Sequence, residues 1–127
     1  MEADCPCGSG IEYAGCCGLL HGGAVTAQTA LELMRSRYSA FAVGDASYLL
    51  ETWYPPMRPT SVDLDPAVQW RRLQIRGLSG GTEDDRAGTV EFVAHYWDSI
   101  RREYGRQHEN SKFVREGRRW FYVEPAS

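Results

Sequence analysis

The chain has 127 residues and a mass of 14.3 kDa, enough for one modest domain or a domain with a small appendage. Hydrophobic residues make up 43% and charged residues 24%; with 4 Trp, 7 Tyr and 4 Phe available for burial, this composition excludes wholesale disorder. The 14 basic and 17 acidic residues leave a net charge of −3, which argues against a protein built to grip phosphate backbones, and no apolar run approaches the ~20 residues of a membrane helix.

Residues 1–10 contain Glu2 and Asp4, no basic residue and no apolar segment after them, so the reading expects a cytoplasmic protein without a secretory leader. The same stretch opens the most informative feature of the chain. All 4 cysteines lie in it, as Cys5-Pro6-Cys7-Gly8-Ser9-Gly10 and then Cys16-Cys17. A disulfide framework would spread cysteines over the domain that it staples. Two tight pairs instead suit four thiolates converging on one ion, for which tetrahedral zinc is the natural candidate. An iron–sulfur cluster uses the same ligand type, and a vicinal redox pair at Cys16–Cys17 faces a strained ring. His21 follows four residues after Cys17 and is an alternative fourth ligand. Pro6 fixes the backbone between the first two ligands, and Gly8 and Gly10 allow the tight turn around them. Four thiolates on one Zn²⁺ would make this end of the chain more acidic, which favours a protein partner with basic patches and makes nucleic acid less expected.

Gly22-Gly23 reads as a hinge, dividing a metal-held knuckle at 1–22 from a folded unit at 23–127. Thr26 is the expected N-cap of a helix whose Leu31, Met34, Tyr38 and Phe41 share one face, with Glu32, Arg35 and Ser39 on other sides. Gly44 ends that helix, and Asp45 caps a second one running from Ala46 to about Thr52. Three prolines in Trp53–Pro59 exclude regular helix there. Short strands are expected at 60–64 and 73–79, with a turn or helical stub from Asp65-Pro66 that includes Trp70. After the polar loop Gly80–Asp85, the segment Thr89–Trp97 alternates as a strand, with Val90, Phe92, Ala94 and Tyr96 on one face and Glu91, Val93, His95 and Trp97 on the other. Arg101–His108 reads as an exposed connection, and 110–115 with 120–124 as a hairpin turning at Glu116-Gly117. Helices followed by strands predict an α+β fold with the helices on one face of an antiparallel sheet.

The cysteine stretch, with Tyr13 and Gly18, resembles the SEC-C motif, the zinc-binding segment found at the tail of the SecA translocation ATPase and on many bacterial proteins. That pattern usually carries basic residues after its glycines, where this chain has Ile11 and Glu12. The resemblance implies zinc as cofactor and a protein partner for the knuckle of the export or translation machinery class. The order of helices and strands resembles the cone-shaped nuclear-transport-factor-2-like fold. Leu33-Met34-Arg35-Ser36-Arg37-Tyr38-Ser39-Ala40-Phe41, Thr52-Trp53-Tyr54-Pro55, Val90-Glu91-Phe92, Glu109-x-Ser111-x-Phe113-x-Arg115-Glu116 and Arg119-Trp120-x-Tyr122-Val123 are similar to the YchJ family of small bacterial proteins. The family sets the architecture and assigns no activity.

Arg58, Glu91, His95, Glu109, Ser111 and Arg115 are the candidate polar residues of a pocket. Glu91 and His95 lie four residues apart on one strand face, roughly 13 Å by the strand rise, too far for direct contact. No nucleophile with an evident base is present, and no phosphate-cradling glycine loop. The sequence therefore points to a non-enzymatic zinc-bearing adaptor or binding module. The alternative is a small pocket enzyme of isomerase, dehydratase or hydrolase type. Homodimerisation through the sheet is an accompanying expectation for folds of this kind.

Overall fold

A computed structural model describes residues 4–126. After the cysteine segment come a short helix α1 (Cys17–His21), the long helix α2 (Ala30–Val43) and α3 (Ala46–Glu51). Four strands follow, β1 (Val68–Gly80), β2 (Ala87–Asp98), β3 (Glu103–Glu116) and β4 (Arg119–Pro125), in one sheet ordered β1-β2-β3-β4. Every neighbouring pair is antiparallel, so the sheet is a meander built from successive hairpins. The helices cover one of its faces, as the order of elements predicts.

The start of α2 differs from the expectation at Thr26. Thr29 is the N-cap, its hydroxyl accepting the Glu32 amide at 3.1 Å, and the Thr29/Glu32 spacing is that of a capping box. Gly44 ends α2 in the left-handed region at φ 82°, and Asp45 caps α3 by accepting the Tyr48 amide at 3.0 Å, both as expected. Leu33, Met34 and Tyr38 of α2 join Val90, Phe92, Ala94, Phe113 and Trp120 of the sheet in the main core. Phe41, placed on the same face by its spacing, is 37% exposed, whereas Ser36, Arg37 and Ser39 are buried. The helix is thus covered on more than one side, because the cysteine segment lies against it as well.

The largest differences fall in the strands. No strand forms at 60–64; Val62 and Leu64 pack in an irregular segment against Ala40, Tyr48 and Leu49. Trp70 belongs to β1 and not to a helical stub, because its pairing with Tyr96 sets its indole against Tyr38 and Phe41. Bulges between Trp70 and Arg72 and between Ile75 and Gly77 interrupt the alternation in β1, which hid its length. Arg101–His108 is exposed, as expected, but most of it is strand and not a connection. Its residues from Glu103 onward form the first half of β3, in unbroken register with β2 from Asp98↔Glu103 to Ala87↔Val114. β4 pairs only with Ser111–Glu116, so the charged first half of β3 lies on an open edge, where polar side chains are the rule. The β3–β4 hairpin turns at Gly117, with φ 61°, as expected.

The last strand also holds the helical layer in place. Tyr54 N donates to Tyr122 O at 2.7 Å and Tyr122 N donates to Thr52 O at 2.9 Å, while the Trp120 indole donates to Gln28 O at 3.1 Å. Among the described residues, no helix is long and apolar enough to cross a membrane.

Candidate metal centre and pocket

The cysteine segment folds as a tight loop. Cys5 N donates to Ile11 O at 2.8 Å and Gly8 N to Cys5 O at 3.2 Å, a path that takes Gly8 to φ 86° and Gly10 to φ 82°. The 3-10 turn Tyr13–Gly15 then delivers Cys16 and Cys17 to the open side of that loop. Gly18 is required by contact, since a Cβ there would sit 2.6 Å from the Tyr13 carbonyl oxygen. As a result the sulfurs of Cys5, Cys7, Cys16 and Cys17 all lie within 4.8 Å of one another, as free thiols. Cys5, Cys7 and Cys17 are buried and Cys16 is partly exposed.

Four sulfurs at these separations have the donor chemistry and the spacing to hold a metal ion. Their protonation fits that use. Burial pushes the Cys17 thiol far up and raises that of Cys16, so without an ion these sulfurs keep their protons. Burial also acts on Cys5, but the Ser39 hydroxyl and the amides of Cys7 and Cys17 outweigh it and bring this thiol down to about 7. A cation would displace the protons and leave four thiolates around it. His21 lies outside the cluster. Its Nε2 donates to Ser36 O at 2.8 Å, and its Nδ1 therefore accepts from the Tyr13 hydroxyl at 2.5 Å.

The cluster is tied to α2 at three points. Ser39 Oγ lies 3.4 Å from Cys5 Sγ, Arg35 donates to Cys7 O at 3.3 Å, and His21 reaches Ser36 O. Arg35 and Ser39, which periodicity places off the apolar face, are residues that the knuckle covers.

The candidate polar residues separate over the domain. Glu91 and His95 are on the sheet face away from the helices, where His108 Nε2 meets Glu91 at 2.6 Å and His95 meets Gln74 at 2.8 Å. Arg58 donates to the carbonyls of Trp53 and Glu51 on the proline loop. Arg115 donates to Asp85 O at 2.7 Å and secures the β1–β2 loop. Only Glu109 and Ser111 come together, and they line a cavity of about 220 Å³ between α2 and the sheet. Glu109 accepts there from both Ser111 Oγ and the Tyr122 hydroxyl. Burial raises the Tyr122 hydroxyl, and Glu109 adds to the shift.

Arg37 lines the same cavity and was not a candidate in the sequence. It is 4% exposed, donates to Leu49 O at 2.8 Å and Thr52 Oγ1 at 2.7 Å, and lies over the Tyr122 ring at 4.7 Å. The available signal was an arginine one residue before the apolar-face Tyr38, where a solvated cation was not due.

Two family descriptions cover almost the whole chain. The SEC-C motif matches residues 3–19, and the YchJ middle NTF2-like domain matches residues 29–125. The chain belongs to the YchJ family. A UPF0225 protein of Streptomyces coelicolor is 47% identical over 120 residues, covering 94% of this chain and 92% of its own. One from Chromobacterium violaceum is 48% identical over 126 residues, covering 96% and 91%. Among solved structures, a SEC-C motif containing protein from Rhodopseudomonas palustris superposes with TM-score 0.82 at 32% identity, over 100% of this chain and 98% of that one. One from Psychrobacter arcticus gives 0.77 at 25% identity, over 96% and 81%. The YchJ-family fold is thus an NTF2-like α+β domain preceded by a SEC-C segment in which four cysteines can hold a metal ion.

Proposed function

We propose that the protein is a non-enzymatic binding module whose four cysteines hold one zinc ion and whose knuckle docks on a protein partner. The observation that carries this reading is the closeness of the four sulfurs. Sulfurs about 2.3 Å from a central zinc would stand about 3.8 Å apart along a tetrahedral edge, and Cys7 Sγ and Cys16 Sγ are 3.7 Å apart. A site filled by four protein ligands has no open position for substrate, so its zinc supplies folding energy and shape.

The knuckle and its follow-on turn expose Ile11 at 54%, Leu19 at 39% and Val25 at 48%, apolar groups available to a protein surface. The titratable candidates are meanwhile engaged with one another: Glu91 with His108, His95 with Gln74, and Glu109 with Ser111 and Tyr122. The SEC-C kinship directs the choice of partner to the export or translation machinery, and the reading places the protein in the cytoplasm.

Elemental analysis of the natively purified protein tests the first half, with one zinc per chain expected and iron or no metal overturning it. Ile11→Asp and Leu19→Asp test the second half. Each should abolish binding to purified ribosomes or to purified translocation ATPase while leaving zinc content unchanged. The cavity beside Glu109, Tyr122 and Arg37 supports a second reading as a small pocket enzyme. A turnover abolished by Glu109→Gln and untouched by Ile11→Asp would establish that reading instead.

A further inference from the structure

The sheet face turned away from the helices gathers charge from distant parts of the chain. Pairing sets Arg72, His95 and Arg106 side by side across β1, β2 and β3. The next row in one direction is Gln74, Val93 and His108, and beyond it stands Arg76 at the β1 bulge. In the other direction the row is Gln69, Trp97 and Tyr104. Arg72, Arg76 and Arg106 are exposed, and among the described residues none of the three has an acidic group within ion-pair distance. Glu91 is the acid amid these rows, and it is taken by His108 at 2.6 Å. Lys112 and Glu124 face each other at the far end.

Arg72 and Arg106 flank His95 from either side, and no acidic group in this row offsets them. His95 registers the excess: burial holds its pKa below the usual value, and Arg72, Arg106 and Arg76 depress it further. Arg76, Glu91, Val93, Arg106 and His108 line an open cleft of about 520 Å³, with the buried Val93 at 4% exposure among them. At the end of the arginine rows Trp97 and Tyr104 lie with ring centroids 4.7 Å apart, and Tyr104 is 77% exposed.

We propose that this face binds single-stranded nucleic acid, with phosphates on Arg72, Arg76 and Arg106 and a base stacked at Tyr104 beside Trp97. Cations along a groove next to an exposed aromatic platform are the two elements that such binding requires. Charge complementarity selects the occupant. The face offers cations in successive rows where a second copy of itself would bring arginines against arginines. Stacking separates a nucleic acid from an acidic peptide, which would use the arginines and leave Tyr104 idle. The net charge of −3 describes the chain as a whole; the register of the sheet brings these three cations onto one surface.

The test uses the full-length, metal-loaded chain and a fluorescent single-stranded RNA of about 12 nucleotides, within the range that small sheet-based binding folds accommodate. Binding is expected to weaken with salt, the logarithm of affinity against that of salt having a slope near −2, from about −0.7 for each of three phosphates neutralised. Arg72→Ala with Arg106→Ala should bring the slope to about −0.7. Tyr104→Ala should cost about tenfold in affinity at unchanged slope. Arg118→Ala with Arg119→Ala, an equal loss of charge on the β3–β4 hairpin, should leave both quantities in place.

Failure to bind RNA at low salt overturns the proposal. So does an equal loss in the Arg118/Arg119 variant, or polyglutamate binding as tightly as RNA with no effect of Tyr104→Ala. A dimer that Tyr104→Ala disperses in the absence of RNA would assign the face to a second copy and likewise overturn it. The substituted residues are exposed, so melting temperature should hold within about 2 °C. Where alanine lowers it, Arg72→Gln with Arg106→Gln takes its place with the same expected slope.

Discussion

Between residues 4 and 17 the buried side chains are three cysteines, whereas α2 and the sheet bury Leu33, Val90, Phe92, Phe113 and Trp120 in one cluster. Both regions hold a defined backbone, and they do so by different physics. The sheet domain removes apolar surface from water and satisfies its backbone through long ladders. The knuckle is too short to bury a core, and an ion drawing its four sulfurs together would supply its order, an effect of about 10–16 kcal/mol in small zinc modules. What joins them is a strip of small polar contacts along α2, from Arg35 to Ser39. A short segment can thus be rigid without a core and still be seated on a neighbour that has one.

The most severe way to break that contrast is to deny the four sulfurs an ion. Chelation, or Cys16→Ser together with Cys17→Ser, should abolish amide-exchange protection over residues 5–17 and leave β2 and β3 protected. Collapse of the whole sheet on chelation would show that the ion serves both regions. Next is Phe113→Ala, at a side chain with no exposure, which should cost about 3–5 kcal/mol in denaturant unfolding and leave metal content unchanged. Thr29→Ala removes the cap of α2 and should cost about 1 kcal/mol, while Thr26→Ala should cost much less.

The smallest effect concerns pH. Burial and the neighbouring arginines place His95 below 6.5, so the folded state resists its protonation. The stability linked to this group is complete above 6.5 and declines as pH falls through its lower folded value. NMR titration should find that value below 6.5, and Arg72→Ala with Arg106→Ala should move it upward.

The features legible in the sequence were those in which the chemistry is local. Four cysteines within thirteen positions announce a common ligand whatever the fold around them. Gly44 and Asp45 act within a turn of their own positions, and so their roles could be read directly. The rest needed partners far along the chain. The open edge of β3 made a strand look like a solvated connection, and two bulges masked the alternation of β1. Ser39 falls off the apolar face, and its burial was not legible because helical periodicity marks one face and contains no sign of a second body. Arg72 and Arg106 are separated by thirty-four positions; only the register Arg72↔His95↔Arg106 makes them neighbours. Glu109 is legible as a candidate polar residue, but its partner Tyr122 belongs to the next strand and Arg37 to a helix.

The seating of the helices on β4 bears on the order in which the protein is made. Gln28, just before α2, is fastened to Trp120, and Thr52 and Tyr54, just after α3, are fastened to Tyr122. A ribosome releases those two residues about seventy positions later than Thr52. The cysteine segment precedes the helices and carries all four sulfurs of its cluster, so it could take up an ion while the sheet is still being translated. The helical layer has no such independence. Until the final strand leaves the exit tunnel, α2 and α3 lack the fastenings at their outer ends, and the apolar side of α2 must wait, open to other proteins, for the last hairpin to close over it.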